Sequence, residues 1–455
     1  MSPIKVLIHI LTIAVNCIIQ KHKIMKKVLI FSNLLISFIG CKQPEQVVQP
    51  VTVNPVTVPI IEKKNIDIIW AKSFGGDHED YPSKMIYTKS GNIVIAGFAS
   101  SASGSGNKEA DNKNECWIIQ VDKDGKKVFD KSYDFRSDIG FNRFEKKVGI
   151  ITTKDGGFII ASNDIYSVLL IKIDGKGNKI WSFETDYLGD GFDIGLTDII
   201  ENNNGEILLL GTTSNAYYQS VRYVLICLNS SGQRLWNKSY YGKNRLQSKA
   251  IFQQPNGDFI IISENKNWIK EDNGLELSGD PKEFWVYKID SKGKVIFTKN
   301  VLSGTKDFEL NIVNSSIDKQ GNIISIINFV NRLDTPLNYT ILCKVNSDGE
   351  LINQKRLDKK GVNYKNSITL TNKDILLYGS INDPTNFWLR NLSENYLTNW
   401  EKEIGGIEED TMMDLMEIDG YIYMLGRSNS YPITGNSKKG SFTNYDYRLI
   451  KAKII

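Results

Sequence analysis

One pattern recurs seven times along the chain and limits its fold more than any other feature. Its clearest part is a short apolar run behind a tight turn, at residues 92–97, 157–162, 206–211, 258–263, 322–327, 374–379 and 421–426. Runs this short, rich in Ile, Val and Leu and bounded by turn residues, read as buried strands. The turns in front of them include Ser90-Gly91, Gly156-Gly157, Asn204-Gly205, Asn256-Gly257, Gln320-Gly321 and Asp419-Gly420. Glycine there supplies the positive φ that tight hairpins require.

A second apolar run follows each of these and ends in Asp or Asn before another Gly-bearing turn, at 116–122, 168–174, 223–229, 284–290 and 340–346. Weaker copies stand at 387–392 and 448–453. Lys172, Lys288, Lys344, Arg390 and Lys451 share one register of this run. A charge alternating with apolar residues is expected of an outermost strand, wet on one side, with Lys guarding the sheet edge. The next copy then opens with a strand carrying an aromatic: Trp70, Trp181, Trp236, Trp400, Phe129 or Phe297. These aromatics are expected to pack blade against blade. The stretch 166–181 accordingly reads as outer strand, turn, and inner strand of the next blade.

Four strands per copy, at a period of about 50 to 60 residues, give the propeller signature. No stretch reads as a long amphipathic helix. The expected fold is all-β: a seven-bladed β-propeller with four antiparallel strands per blade. Six or eight blades are the alternatives, because the copy at 352–398 is weak and 66–69 can supply further strands. The ring is expected to close by a strand from one terminus completing a blade begun at the other, with 66–69 as that strand.

Trp70-Ala-Lys-Ser-Phe-Gly-Gly76 with Asp80, Asn399-Trp-Glu-Lys-Glu-Ile-Gly-Gly406 with Asp410, and Thr152-Thr-Lys-Asp-Gly-Gly-Phe-Ile-Ile-Ala161 together resemble one bacterial repeat family. It is the secreted and lipoprotein β-propeller family with Trp…Gly-Gly…Asp…Asp-Gly-Gly repeats. The resemblance implies the fold and an envelope location, and little about chemistry. The spacing in Asp174…Gly177…Trp181 is distantly similar to the docking motif of quinoprotein-like propellers, where the Trp is structural.

Met25-Lys26-Lys27, an apolar stretch at 28–39, and Gly40-Cys41 describe a secretory signal. Residues 37–41 resemble a bacterial lipobox, which implies a diacylated Cys41 as the mature N-terminus. Met25 is the better start, because it opens a complete signal by itself. Residues 42–65, with four prolines between Cys41 and Ile60, read as an extended Pro/Val/Thr-rich tether. The domain plan is therefore signal and lipobox at 1–41, tether at 42–65 and propeller at 66–455. The expected place is the cell envelope, lipid-anchored at the outer membrane and facing either the periplasm or the surface.

The totals exclude some function classes. Lys+Arg number 56 against Asp+Glu 52, so no concentrated basic surface for nucleic acid is expected. His78 is the one histidine after residue 22, which disfavours a His-rich metal site or a Ser-His-Asp triad. Cys116, Cys227 and Cys343 are scattered over three repeats and read as small apolar residues. The Asp-led turns at Asp122, Asp174, Asp290 and Asn346 lack a calcium loop's ligand count and read as hairpin chemistry. No catalytic, cofactor-binding or metal-binding residue is assigned, and no cofactor is expected.

Loops carry the remaining signal. Long connections at 100–115, 264–283 and 428–445 are expected on one face, beside Gly75-Gly76 and Gly405-Gly406. Trp268, Tyr217, Tyr218 and Tyr431 offer aromatic platforms there, with Asp111 and Asp272 among the acidic residues. The preferred function is a lipid-anchored envelope module that binds or scaffolds a protein or glycan partner. The alternative is a glycan hydrolase or lyase using rim carboxylates, from a set including Glu109, Asp111, Glu115, Glu271, Asp272 and Asp280.

Overall fold

The apolar runs pair as antiparallel four-stranded sheets, and seven such sheets form a ring. A computed structural model describes residues 66–455 except 102, 105, 110–114, 136–147, 164–166, 186–192, 215–220, 241–244, 267–268, 271–275, 278–280, 333–337, 358, 382–384, 407 and 430–444. The first strand, β1 (Ile66–Phe74), stands apart from those that follow it. Blade 1 is β2 (Asp80–Tyr87), β3 (Ile93–Ala99), β4 (Glu115–Val121) and β5 (Lys127–Tyr133). Blade 2 is β6 (Val148–Thr152), β7 (Phe158–Asn163), β8 (Val168–Ile173) and β9 (Lys179–Glu184). Blade 3 is β10 (Asp193–Glu201), β11 (Ile207–Ser214), β12 (Val221–Leu228) and β13 (Arg234–Tyr240).

In blade 4, β14 (Arg245–Gln253) and β15 (Phe259–Lys266) are followed by a small hairpin of β16 (Ile269–Lys270) and β17 (Glu276–Leu277). The sheet then resumes with β18 (Glu283–Ile289) and β19 (Val295–Ser303). Blade 5 is β20 (Phe308–Ile317), β21 (Ile323–Asn331), β22 (Tyr339–Val345) and β23 (Leu351–Leu357). Blade 6 is β24 (Val362–Thr369), β25 (Ile375–Ile381), β26 (Asn386–Leu392) and β27 (Thr398–Ile404). Blade 7 is β28 (Asp410–Ile418), β29 (Tyr421–Ser428) and β30 (Asp446–Ile454), completed by β1. Ile66 pairs with Ile454 and Phe74 with Tyr447, so the N-terminal strand closes the ring as expected. There is no helix among the described residues.

Seven apolar clusters hold the ring, one at each junction between adjoining blades. The second strands explain their long apolar runs. β3 and β25 are buried at every position, because both faces of such a strand lie against neighbouring blades. Cys116, Cys227 and Cys343 are free and buried within this packing.

Two sequence expectations are corrected by the pairing. The aromatic strand is the outermost strand of its own blade, not the innermost of the next. Lys172 of β8 faces Trp181 of β9 across a hairpin of one sheet. The charged register therefore lies on third strands, where its residues take partners within the ring instead of guarding an edge; Lys288 meets Asp348 at 3.6 Å and Lys451 donates to the Lys123 carbonyl at 3.1 Å. Lys172 is buried, with Nζ 2.7 Å from Thr153 Oγ1 and 2.9 Å from an Asp155 carboxylate oxygen. Lys344 pairs with Asp318 at 2.8 Å, and Arg390 with Glu401 at 2.5 Å.

The aromatics do join blades. Trp181 of blade 2 lies under Gly232 in the β12–β13 turn of blade 3, and its Nε1 donates to the Ser230 carbonyl at 3.0 Å. The same contact recurs between Phe129 and Gly177, Trp236 and Gly293, Phe297 and Gly349, and Trp70 and Gly125. The Asp or Asn that opens each such turn accepts backbone N–H groups. Asp174 Oδ1 takes Lys176 and Asn178 at 2.8 Å each, the hairpin chemistry expected of these residues.

Candidate functional site

Ring closure builds a distinctive corner where blade 7 meets blade 1. Glycines 75 and 76 turn the chain from β1 into β2, and Asp80 at the start of β2 holds the turn. Its carboxylate accepts the Gly76 N–H at 3.1 Å, the Ser101 N–H at 3.2 Å and the Ser101 hydroxyl at 2.8 Å. The described part of the 100–115 loop folds over the same place, with Asn107 Oδ1 accepting the Gly75 N–H at 2.8 Å. The second Gly-Gly copy works alike, since Asp410 accepts the Gly406 N–H at 2.8 Å. A side chain at Gly75 would meet the Asp446 carboxyl, and one at Gly405 the Asn386 amide, which is why both positions carry glycine.

The Asp80 and Asp446 carboxyls meet against Gly75, Asp80 buried and Asp446 half-buried. Burial pushes the Asp80 carboxyl up to about 6 against the hydrogen bonds from Ser101 and Gly76 and the charge of Lys108. Burial, then the charge of Asp80, pushes Asp446 up to about 7, with Arg448 opposing. Asp446 Oδ1 is buried, and among the described residues it has no hydrogen-bond donor.

Beside this corner, Arg427 lies between two aromatic rings. Its guanidinium is 4.6 Å from the Tyr445 ring centroid and 5.7 Å from that of Tyr81. The Tyr81 hydroxyl donates to Glu79 and the Tyr445 hydroxyl to Glu409. All five side chains are half-buried, so each keeps a face to solvent. A cation held between rings and flanked by carboxylates offers both stacking and charge to a partner.

The innermost strands enclose a channel of about 840 Å³. Six of them carry a bulge at one position, and the extra residue is Ser83, Thr197, Lys249, Val313, Lys365 or Met413, all lining the channel. A bulge re-aims a side chain without ending the strand. In blades 3 and 7 the residue after the bulge is an aspartate that ties neighbouring blades together. Asp198 accepts the Ile251 N–H of blade 4 at 3.1 Å, and Asp414 accepts the Met85 N–H of blade 1 at 2.9 Å. Burial raises the Asp414 carboxyl.

The seven positions singled out from the sequence, Cys41, Trp268, Tyr217, Tyr218, Tyr431, Asp111 and Asp272, all lie outside the described residues. Of the acidic loop set, Glu109 is described, largely exposed and paired with Lys127 at 2.9 Å, and Glu115 opens strand β4 instead of lying in the loop. Arg427, Tyr81 and Tyr445 were missed, because they come together only when the ring closes. The channel lysines stand in the first strands of blades 1, 4 and 6, but the bulges at or beside them leave no signal in the sequence. Among the described residues no group of three or more His, Cys, Asp or Glu is placed to hold a metal ion.

No family model matches the chain, and no curated protein matches it either. Solved structures do resemble it. A protein of unknown function from Dyadobacter fermentans aligns over 86% of this chain and 99% of its own, at 10% identity and a TM-score of 0.47. Drosophila semaphorin 1b, extracellular domains 1–2, aligns over 86% and 88% at 8% identity and 0.46. The β-propeller domain of the trilobed protease from Pyrococcus furiosus aligns over 78% and 91% at 9% identity and 0.44.

Proposed function

We propose that this protein is a binding module of the cell envelope, tethered through a lipid on Cys41 and engaging a protein or glycan partner at the rim where blades 7 and 1 meet. The observation that carries this reading is the Arg427 sandwich between Tyr81 and Tyr445. It stands on the face that also holds the Gly75-Gly76 turn and the 100–115 loop. Rigid aromatics bury large area at low entropic cost, and arginine adds charge with stacking. The test has two arms. Cells fed a labelled fatty acid should label the wild type but not Cys41→Ala, and a soluble, unlabelled wild type contradicts the anchor. Photocrosslinking from position 445, with a glycan array run in parallel, should give a partner that Arg427→Ala weakens at least tenfold. Equal binding by that variant contradicts the rim site.

A second reading, a glycan-cleaving enzyme, draws on the raised carboxyl of Asp446, which sits near the range of a general acid. It requires turnover on a polysaccharide panel that Asp446→Asn abolishes while rim binding survives.

A further inference from the structure

The central channel carries a positive wall that its one neighbouring acid offsets only in part. Lys365 extends from the bulge of β24 in blade 6, and Lys84 follows the bulge of β2 in blade 1. Blade 7 stands between them and contributes Asp414. Both lysines line the channel and both are half-buried. Among the described residues, neither ammonium is engaged in a hydrogen bond or an ion pair. Asp414 is the nearest acid, but its oxygens are already taken. One accepts the Met85 N–H at 2.9 Å, and the other the Leu415 N–H at 2.9 Å and the Tyr378 hydroxyl at 3.3 Å. The other channel charges are accounted for elsewhere. Asp198 accepts the N–H groups of Ile199 and Ile251, and Lys249 pairs with Glu264 at 3.2 Å. Burial lowers the Lys365 pKa with Arg427 adding repulsion, and Asp414 only partly offsets this, so the site gains by taking up negative charge.

We propose that the channel binds a small anionic molecule, with its carboxylate or phosphate groups held between Lys84 and Lys365. A cavity of about 840 Å³ lies within the range of about 300–1,000 Å³ usual for small-molecule sites, so the ligand is organic in size instead of a bare inorganic ion. Asn363 and Asn366 line the same wall. Lysine ammoniums act as point charges toward such oxyanions. This site is separate from the rim site, and each stands without the other.

Citrate and fructose 1,6-bisphosphate serve as carboxylate and phosphate probes, titrated by calorimetry into the full mature chain. The expected result is saturable binding of at least one of them. Affinity should fall tenfold or more in Lys84→Met/Lys365→Met and stay within twofold in Lys176→Met, an exposed lysine outside the channel. The Met side chains keep the aliphatic stems, and the circular dichroism of each variant checks folding. Should the double variant not fold, wild-type protein with 13C-dimethylated lysines gives the answer. The Lys84 and Lys365 resonances should shift on titration while those of the exposed lysines stay. Absence of binding by both probes, equal binding by the double variant, or shifts confined to surface lysines overturns the proposal.

Discussion

At the scale of single residues, the ring depends on contacts between a turn glycine and the aromatic of the preceding blade. Gly232 has a φ of +81°, and a Cβ there would lie 2.7 Å from the Trp181 ring. Gly257 has a φ of +90° with open space around it. Gly257→Ala therefore carries only backbone strain, about 1 kcal/mol, whereas Gly232→Ala adds overpacking and should cost roughly 2 to 4 kcal/mol. Urea unfolding of both variants measures the difference, and equal costs would remove the joining role of the aromatic. Blade 6 has Lys373 at φ 71° where most first turns have glycine. Lys373→Gly should stabilise by about 1 kcal/mol, read by the same unfolding curves. Turns of this kind were legible in the sequence, because Asp, Asn and Gly set them locally. The role of Lys172 was not. Whether a charge alternating in a strand meets water or a carboxylate depends on Asp155, which lies in another hairpin. Burial pushes the Asp155 carboxyl up, but hydrogen bonds from Thr153, Lys172 and Gly157 and the Lys172 charge hold it down at about 2.

At the scale of elements, the strand count was legible and the strand phase was not. Each repeat has four apolar segments separated by turns, and a repeating sequence does not mark which segment starts the sheet. Burial settles it. β9 is mostly exposed outside Trp181 and Phe183, as an outer strand must be, while β7 is almost wholly buried. The weak sixth copy is a complete blade, so seven is the count. Its outer strand holds Trp400, buried in the cluster that also contains Ile66, Phe387, Met412 and Ile450. Trp400→Ala should cost roughly 3 to 5 kcal/mol, because the cavity would open between blades 6 and 7. Thermal unfolding checks this, and a loss below about 1 kcal/mol would mean that the blades do not rely on that aromatic. The Arg427 sandwich was illegible for a simpler reason. Tyr81 and Tyr445 come from opposite ends of the chain, and nothing local links them.

At the scale of the whole molecule, closure concentrates buried carboxyls at one seam. Burial holds the folded Asp80 and Asp446 carboxyls up at about 6 and about 7, above the ordinary 3.8 of an aspartate, so the native state retains protons that the unfolded chain has released. Stability contributed by this pair is therefore full below about pH 4, falls as pH rises through about 7, and is lost above it. Asp446→Asn should raise stability at pH 8 by roughly 1 to 3 kcal/mol and change it little at pH 4. A stability difference from wild type that is the same at pH 4 and pH 8 would contradict the shared burial. The rim site, the carboxyl seam and the wall of Lys84 and Lys365 all depend on one event, the pairing of β1 with β30. Hydrogen exchange of peptides covering Ile66–Phe74, followed by mass spectrometry, tests that pairing directly. A closed ring should protect these amides as strongly as those of β29, with release only on global unfolding. Exchange of the β1 peptide within seconds, while β28 to β30 remain protected, would show an open ring and contradict the account.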